Sequence, residues 1–255
     1  MTLPESTWVE DTPRLQAGRI FRRPLGLTER GFYWDSVFRG TATTINHFEF
    51  DLENGEVGEV FSRGNVERVW LYMKQAFPLL GSWVEELADT LGGKEILKFV
   101  VDEQRLLSIP SGEVNFIHVN SSDEAERLTR SILNAPSYID ASEDVSRLWI
   151  FRRSDKPCHV HVLFQLAHIM HDGFAITTLI RTFSEGLLSP NLPEKALPPM
   201  EERLRLHLSS EDLDPALACS KARKHWRRVI AKVIYAIRQK KLHVRSRFIS
   251  FQPVQ

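Results

Sequence analysis

The sequence predicts an α/β protein, a mixed β-sheet flanked by helices, and three observations carry that prediction. Runs rich in β-branched and aromatic residues alternate along the chain with runs whose apolar residues recur at helical spacing. Two strand-like runs, SRLWIFRRS and CHVHVLFQLAH, are separated by DKP, which is the pattern of a hairpin. Neither an internal repeat nor a low-complexity tract interrupts the alternation.

Residues 1–26 are punctuated by Pro and Arg and read as an extended lead-in to a domain over 27–208. SVFRGTATTINHFEFDL has the composition of a strand region. NVERVWLYMKQAF follows with Val66, Val69, Trp70, Met73 and Phe77 on one helical face and is stopped by Pro78. EILKFVVDEQRLLSI reads as a strand and a turn into another. SSDEAERLTRSILNAP is a helix with Ser122 as N-cap and Pro136 beyond its end. After the hairpin, FAITTLIRTFSEGL places Ile176, Leu179, Ile180, Phe183 and Leu187 on one face. The Pro-rich connector SPNLPEKALPPM then leads to residues 209–255. That stretch reads as a long basic helix whose stripe is Trp226, Val229, Ile230, Val233 and Ile237.

The formal net charge of zero conceals an asymmetry. Residues 216–255 hold 11 Lys/Arg and no Asp or Glu, leaving 22 basic against 33 acidic residues elsewhere. The expectation is a helix that packs on a sheet by its apolar stripe and solvates its cations. Contact with an anion, such as the phosphates of a coenzyme or a membrane surface, is the alternative. No nucleic-acid motif accompanies the cations, so no nucleic acid is expected as partner. No membrane is expected either, since no apolar run approaches the ~18–20 residues of a spanning helix. The start, MTLPESTWVED, has no apolar leader core. Cys158 and Cys219 stand 61 positions apart, which is neither a disulfide framework nor a zinc spacing. A cytoplasmic protein is expected. Gly-x-Ser-x-Gly, Walker A and Gly-x-Gly-x-x-Gly are absent, and LGGKE lacks phosphate-loop spacing.

The informative stretch is QLAHIMHDGFA, residues 165–175. Val160, Val162, Phe164 and Leu166 share one face of the preceding strand, and His168 continues that parity into a turn for which Gly173 is suited. A neutral imidazole there suits a general base. Asp172 either orients the imidazole, pairs with a distant Arg or caps the next helix. A buried histidine with a capping Asp is the plainer alternative. His159, His161, His168, His171 and Cys158 do not converge on one point along a regular strand, so no metal site is expected.

The segment resembles the His-x-x-x-Asp-Gly signature of the chloramphenicol-acetyltransferase-like superfamily, which includes plant BAHD acyltransferases, fungal trichothecene O-acetyltransferases and condensation domains of peptide synthetases. AFPLLGSW, residues 76–83, is similar to that family's early Pro-Leu element. The resemblance implies one half of a two-domain fold, with His168 as general base and with Asp172 and Gly173 shaping the site. It further implies no bound cofactor, acyl-CoA (acetyl-CoA) as co-substrate and a small alcohol as acceptor, with the fungal secondary-metabolite branch as the nearest analogy. Condensation domains usually carry a second His immediately before the catalytic one. Ala167 stands there, which favours O-acyl transfer over condensation-type amide or ester formation. The family's later Asp-Phe-Gly-Trp-Gly motif is absent. The sequence therefore reads as an N-terminal half that needs a dimer mate or a complementing second half. A non-catalytic half-domain that binds a partner is the other reading.

Overall fold

The structure, a computed structural model, describes residues 7–11, 18–39, 42–52, 57–88, 95–134, 139–171, 173–192 and 196–209. Beyond these it describes Ser220, Ala222, Arg223, His225, Trp226, Val229, Ile230, Lys232 and Val233. The chain divides into two compact units, Met1–Ser210 and Glu211–Gln255.

The first unit holds two four-stranded sheets rather than one. The first is antiparallel, with β1 (Val9–Glu10), β2 (Ile20–Pro24), β5 (Glu95–Asp102) and β4 (Trp83–Ala88) in that order. The second runs β3 (Thr43–Asp51), β8 (His159–Ala167), β7 (Ser146–Arg153), β6 (Val114–Val119), and only its β6–β7 pair is parallel. The helices are α1 (Leu27–Arg39), α2 (Val57–Val60), α3 (Arg63–Ala76), α4 (Ser122–Asn134), α5 (Gly173–Leu188) and α6 (Met200–Arg205).

β8 is buried along its whole length because helices cover both faces of its sheet. On one face Val160, Val162, Phe164 and Leu166 meet Val66, Val69, Trp70 and Met73 of α3 and Leu179, Phe183 and Leu187 of α5. On the other, Leu163 packs with Phe151, Val119 and Ala125 of α4. The two long helices approach closely at Gly186, where an added Cβ would stand 2.8 Å from Val69 Cγ1. The first sheet has its own core, Phe21, Val84, Leu97, Phe99 and Val101, joined by Tyr33 of α1 and by Ala167 and Ile169. One buried polar cluster forms around Glu113. Lys74 lies 2.9 Å from the Glu113 carboxylate, which also accepts from Trp70 Nε1 at 2.6 Å.

Three local expectations need correction. The segment over 1–26 is more than a lead-in, since it supplies β1 and β2 and completes the first sheet. Residues 36–39, read as the start of a strand, belong to α1. The cap of α4 is Ser121, whose Oγ accepts from the Glu124 N–H, while Glu124 accepts from the Asn120 N–H.

The second unit is helical at Ala222, Arg223, His225, Trp226, Val229, Ile230, Lys232 and Val233. Trp226, Val229, Ile230 and Val233 of this unit are exposed. Ile237 lies outside the described residues. Among the described residues, no helix is long and apolar enough to cross a membrane.

Candidate active site

His168 follows directly on β8 and sits where the two sheets' cores meet. Leu166 belongs to one core, Ala167 and Ile169 to the other, and Met170 touches both. Three backbone bonds hold the strand's end: Ala167 N–H to the Val145 carbonyl at 2.8 Å, His168 N–H to Ala42 at 2.8 Å, and Met170 N–H to Ala167 at 3.1 Å. The chain then turns into α5, which Gly173 opens. Asp172 lies outside the described residues.

The His168 ring is half-buried and fixed on two sides. Phe32 of α1 stacks on it with centroids 4.1 Å apart and planes 26° from parallel. Its Nδ1 is 3.2 Å from the His171 carbonyl oxygen. A carbonyl only accepts, so Nδ1 donates there, and in the neutral ring it is Nε2 that holds the lone pair a base requires. His171 is held by its own contact, Nε2 to Thr44 Oγ1 at 2.8 Å. A side chain larger than alanine at position 167 would have to enter a packed core, because Ala167 is buried among Val145, Ile139 and Ile169. The cleft of about 420 Å³ lined by Tyr33, Ser36, Val37, Glu86, Asp140, Ala141 and Ser142 does not include His168. The two are served by different residues of α1, Phe32 for His168 and Tyr33, Ser36 and Val37 for the cleft.

A second group of histidines stands at the opposite end of the β3–β8 pair, on the strand face away from α3 and α5. His47, Glu49 and Asp51 of β3 lie beside His159 and His161 of β8, with Glu49 opposite His161 and Asp51 opposite His159. Sequence reasoning missed His47 and Glu49 because they come from a strand 110 positions away. The signal was a pair of alternations, His-x-Glu-x-Asp and His-x-His, that an antiparallel register superposes. Burial pushes the His161 imidazole down to about 4 against the opposing pull of Glu49 and lowers that of His47.

No known family profile matches the chain, and no curated relative matches it by sequence. Its structure is similar to the condensation domain of the monacolin K polyketide synthase MokA, at 14% identity and TM-score 0.53, over 77% of this chain and 41% of that one. It is similar to a four-domain nonribosomal peptide synthetase bound to AMP and glycine, at 13% identity and TM-score 0.52, over 85% of this chain and 15% of that one. A further match is F. graminearum TRI101 complexed with ethyl coenzyme A, at 13% identity and TM-score 0.49, over 75% and 44%. The fold, two sheets flanked by helices, is thus similar to that of the MokA condensation domain. The chain spans about two fifths of the length of the MokA domain.

Proposed function

We propose that the chain is the His-bearing half of an acyltransferase, moving an acyl group from an acyl-CoA thioester to a hydroxyl of a small, hydrophobic metabolite. The observation that carries this reading is the 3.2 Å contact of His168 Nδ1 with the His171 carbonyl, which turns Nε2 to the role of base at a strand end on a fold shared with condensation domains. In the proposed step Nε2 takes the proton of the acceptor hydroxyl while its oxygen bonds to the thioester carbonyl carbon. The tetrahedral oxyanion collapses, the C–S bond breaks, and the imidazolium returns its proton to the leaving thiolate. Phe32 fixes the ring plane and the His171 carbonyl fixes the tautomer, while Asp172 and Gly173 keep the site-shaping role that the resemblance implies. Acyl-CoA is preferred to condensation-type transfer because Ala167 stands where condensation domains usually carry a second histidine. A water-excluding tunnel needs two walls. The acceptor and the thioester are therefore held between this half and a second one, supplied by a dimer mate or a complementing domain.

A second reading, a non-catalytic half-domain that binds a partner, has one observation in its favour. α1 leaves Leu27, Val37 and Phe38 exposed, Phe38 at 77%.

The deciding experiment incubates the purified chain with acetyl-CoA and a panel of alcohols and follows free thiol, with His168→Ala in parallel. Acyl transfer predicts turnover that falls about 10²–10⁴-fold in the variant while its fold is retained. A folded wild-type chain whose thiol release is unaffected by His168→Ala favours the partner-binding reading.

A further inference from the structure

The histidine–carboxylate group at the far end of β3–β8 has the geometry of a metal centre. His47 Nε2 and His161 Nδ1 are 2.9 Å apart. Glu49 Oε1 is 3.5 Å from His161 Nδ1 and 3.9 Å from His47 Nε2. A tetrahedral zinc ion with bonds of about 2.0–2.1 Å separates its ligand atoms by roughly 3.3–3.4 Å. The three separations bracket that edge, so an ion placed among them requires them to change by up to about half an ångström. We propose that His47, Glu49 and His161 bind one Zn²⁺, with the fourth position open to solvent beside the exposed Glu49 carboxylate.

The surroundings fit a cation. His161 is 1% exposed and held by the strand on both sides, so one ligand is rigid, while His47 and Glu49 lie nearer the surface and can close on the ion. His159 orients Glu49 from behind. Its Nε2 is 3.2 Å from Glu49 Oε2 and its Nδ1 2.8 Å from Asp51 Oδ1, the kind of outer hydrogen bonding that fixes a ligand carboxylate. The neighbouring cations are already neutralised, Lys156 by Asp51 at 2.8 Å and Arg153 by Asp155 at 2.7 Å. Two imidazoles and one carboxylate form a borderline donor set that suits Zn²⁺ over Mg²⁺ or Ca²⁺. In the metal-free protein one of the two facing ring nitrogens carries a proton, and the ion displaces it.

The site is independent of acyl transfer. His161 and Ala167 are six residues apart on one strand, which sets the metal about 20 Å from His168. Its ligands come from two strands, so the ion ties β3 to β8.

The test is Zn²⁺ titrated calorimetrically into the tag-free, chelator-stripped 255-residue chain, with Co²⁺ as a spectroscopic substitute. The expected result is one Zn²⁺ per chain and the visible d–d bands of four-coordinate Co²⁺. His161→Ala removes a buried side chain and risks misfolding, so the surface ligands carry the test. His47→Ala and Glu49→Gln are each expected to weaken Zn²⁺ binding by about 100-fold or more. His118→Ala, an exposed histidine elsewhere, leaves it unchanged. Absence of binding overturns the proposal. So does binding that is equally strong in His47→Ala, Glu49→Gln and the wild type.

Discussion

The two ends of the β3–β8 pair carry histidines of the same strand in opposite circumstances. At the C-terminal end of β8, His168 steps out of the ladder, stacks on Phe32 and gives its Nδ1 proton to a backbone carbonyl, which leaves Nε2 unspent. At the N-terminal end, His161 stays inside the ladder, 1% exposed, and meets an imidazole and a carboxylate across the strand. One arrangement suits taking up a proton and the other holding a cation. What an imidazole can do is decided here by where the strand stops, more than by the neighbouring letters of the sequence.

The comparison breaks most sharply at His168. His168→Ala is expected to lower acyl transfer by about 10²–10⁴-fold, with little change in Tm because the ring is only half-buried. Turnover and thermal melting measured together check both halves of that statement. Next in size is the centre of the strand. Phe164 packs edge-on against Phe48 and Phe183 and touches Trp70, so Phe164→Ala should cost about 3–5 kcal/mol in chemical denaturation. Because that residue lies between the two ends, its loss should impair both sites together, whereas His168→Ala should spare zinc binding.

Phe32→Ala sharpens the picture at the His168 end alone. Stacked rings of this kind contribute about 0.5–1.5 kcal/mol, so the rate should fall by up to about tenfold. The smallest effect belongs to a histidine with neither role. Burial, helped by the charge of Arg23, pushes the His207 imidazole down to about 4. The folded protein therefore keeps His207 neutral while the unfolded chain protonates it below about pH 6.5. Its contribution to stability is complete above that pH and is lost as the pH falls towards 4. His207→Gln should make the acid decline of Tm shallower over this window and leave acyl transfer unchanged.

Much of this was legible from local pattern. The hairpin of β7 and β8 and the helices α3 and α5 follow from alternation and 3.6-residue spacing, because each buries a whole face. β2 was hidden by composition. IFRRP reads as a polar lead-in, yet Arg23 is fully buried, its guanidinium bonded twice to Glu29 at 2.8 Å and lying over Phe99. A buried, paired arginine looks like a surface arginine in sequence. The aromatic run in α1 has strand composition, but its rings are used for tertiary contacts, Phe32 on His168 and Tyr33 in the core of the first sheet. The His168 site was visible because its motif and the His171 carbonyl are local in the chain, whereas Phe32, which stacks on the ring, was not. The zinc ligands were not, because only the register of two distant strands brings Glu49 opposite His161.

The most direct test is a long-range ¹H–¹⁵N spectrum of the histidine rings, recorded on the metal-free protein and again with one equivalent of Zn²⁺. The expected result is His168 as the Nδ1–H tautomer with an unprotonated Nε2, unmoved by zinc, while His47 and His161 shift together. A His168 ring protonated at Nε2, or one that shifts with zinc in place of His47 and His161, would contradict the account.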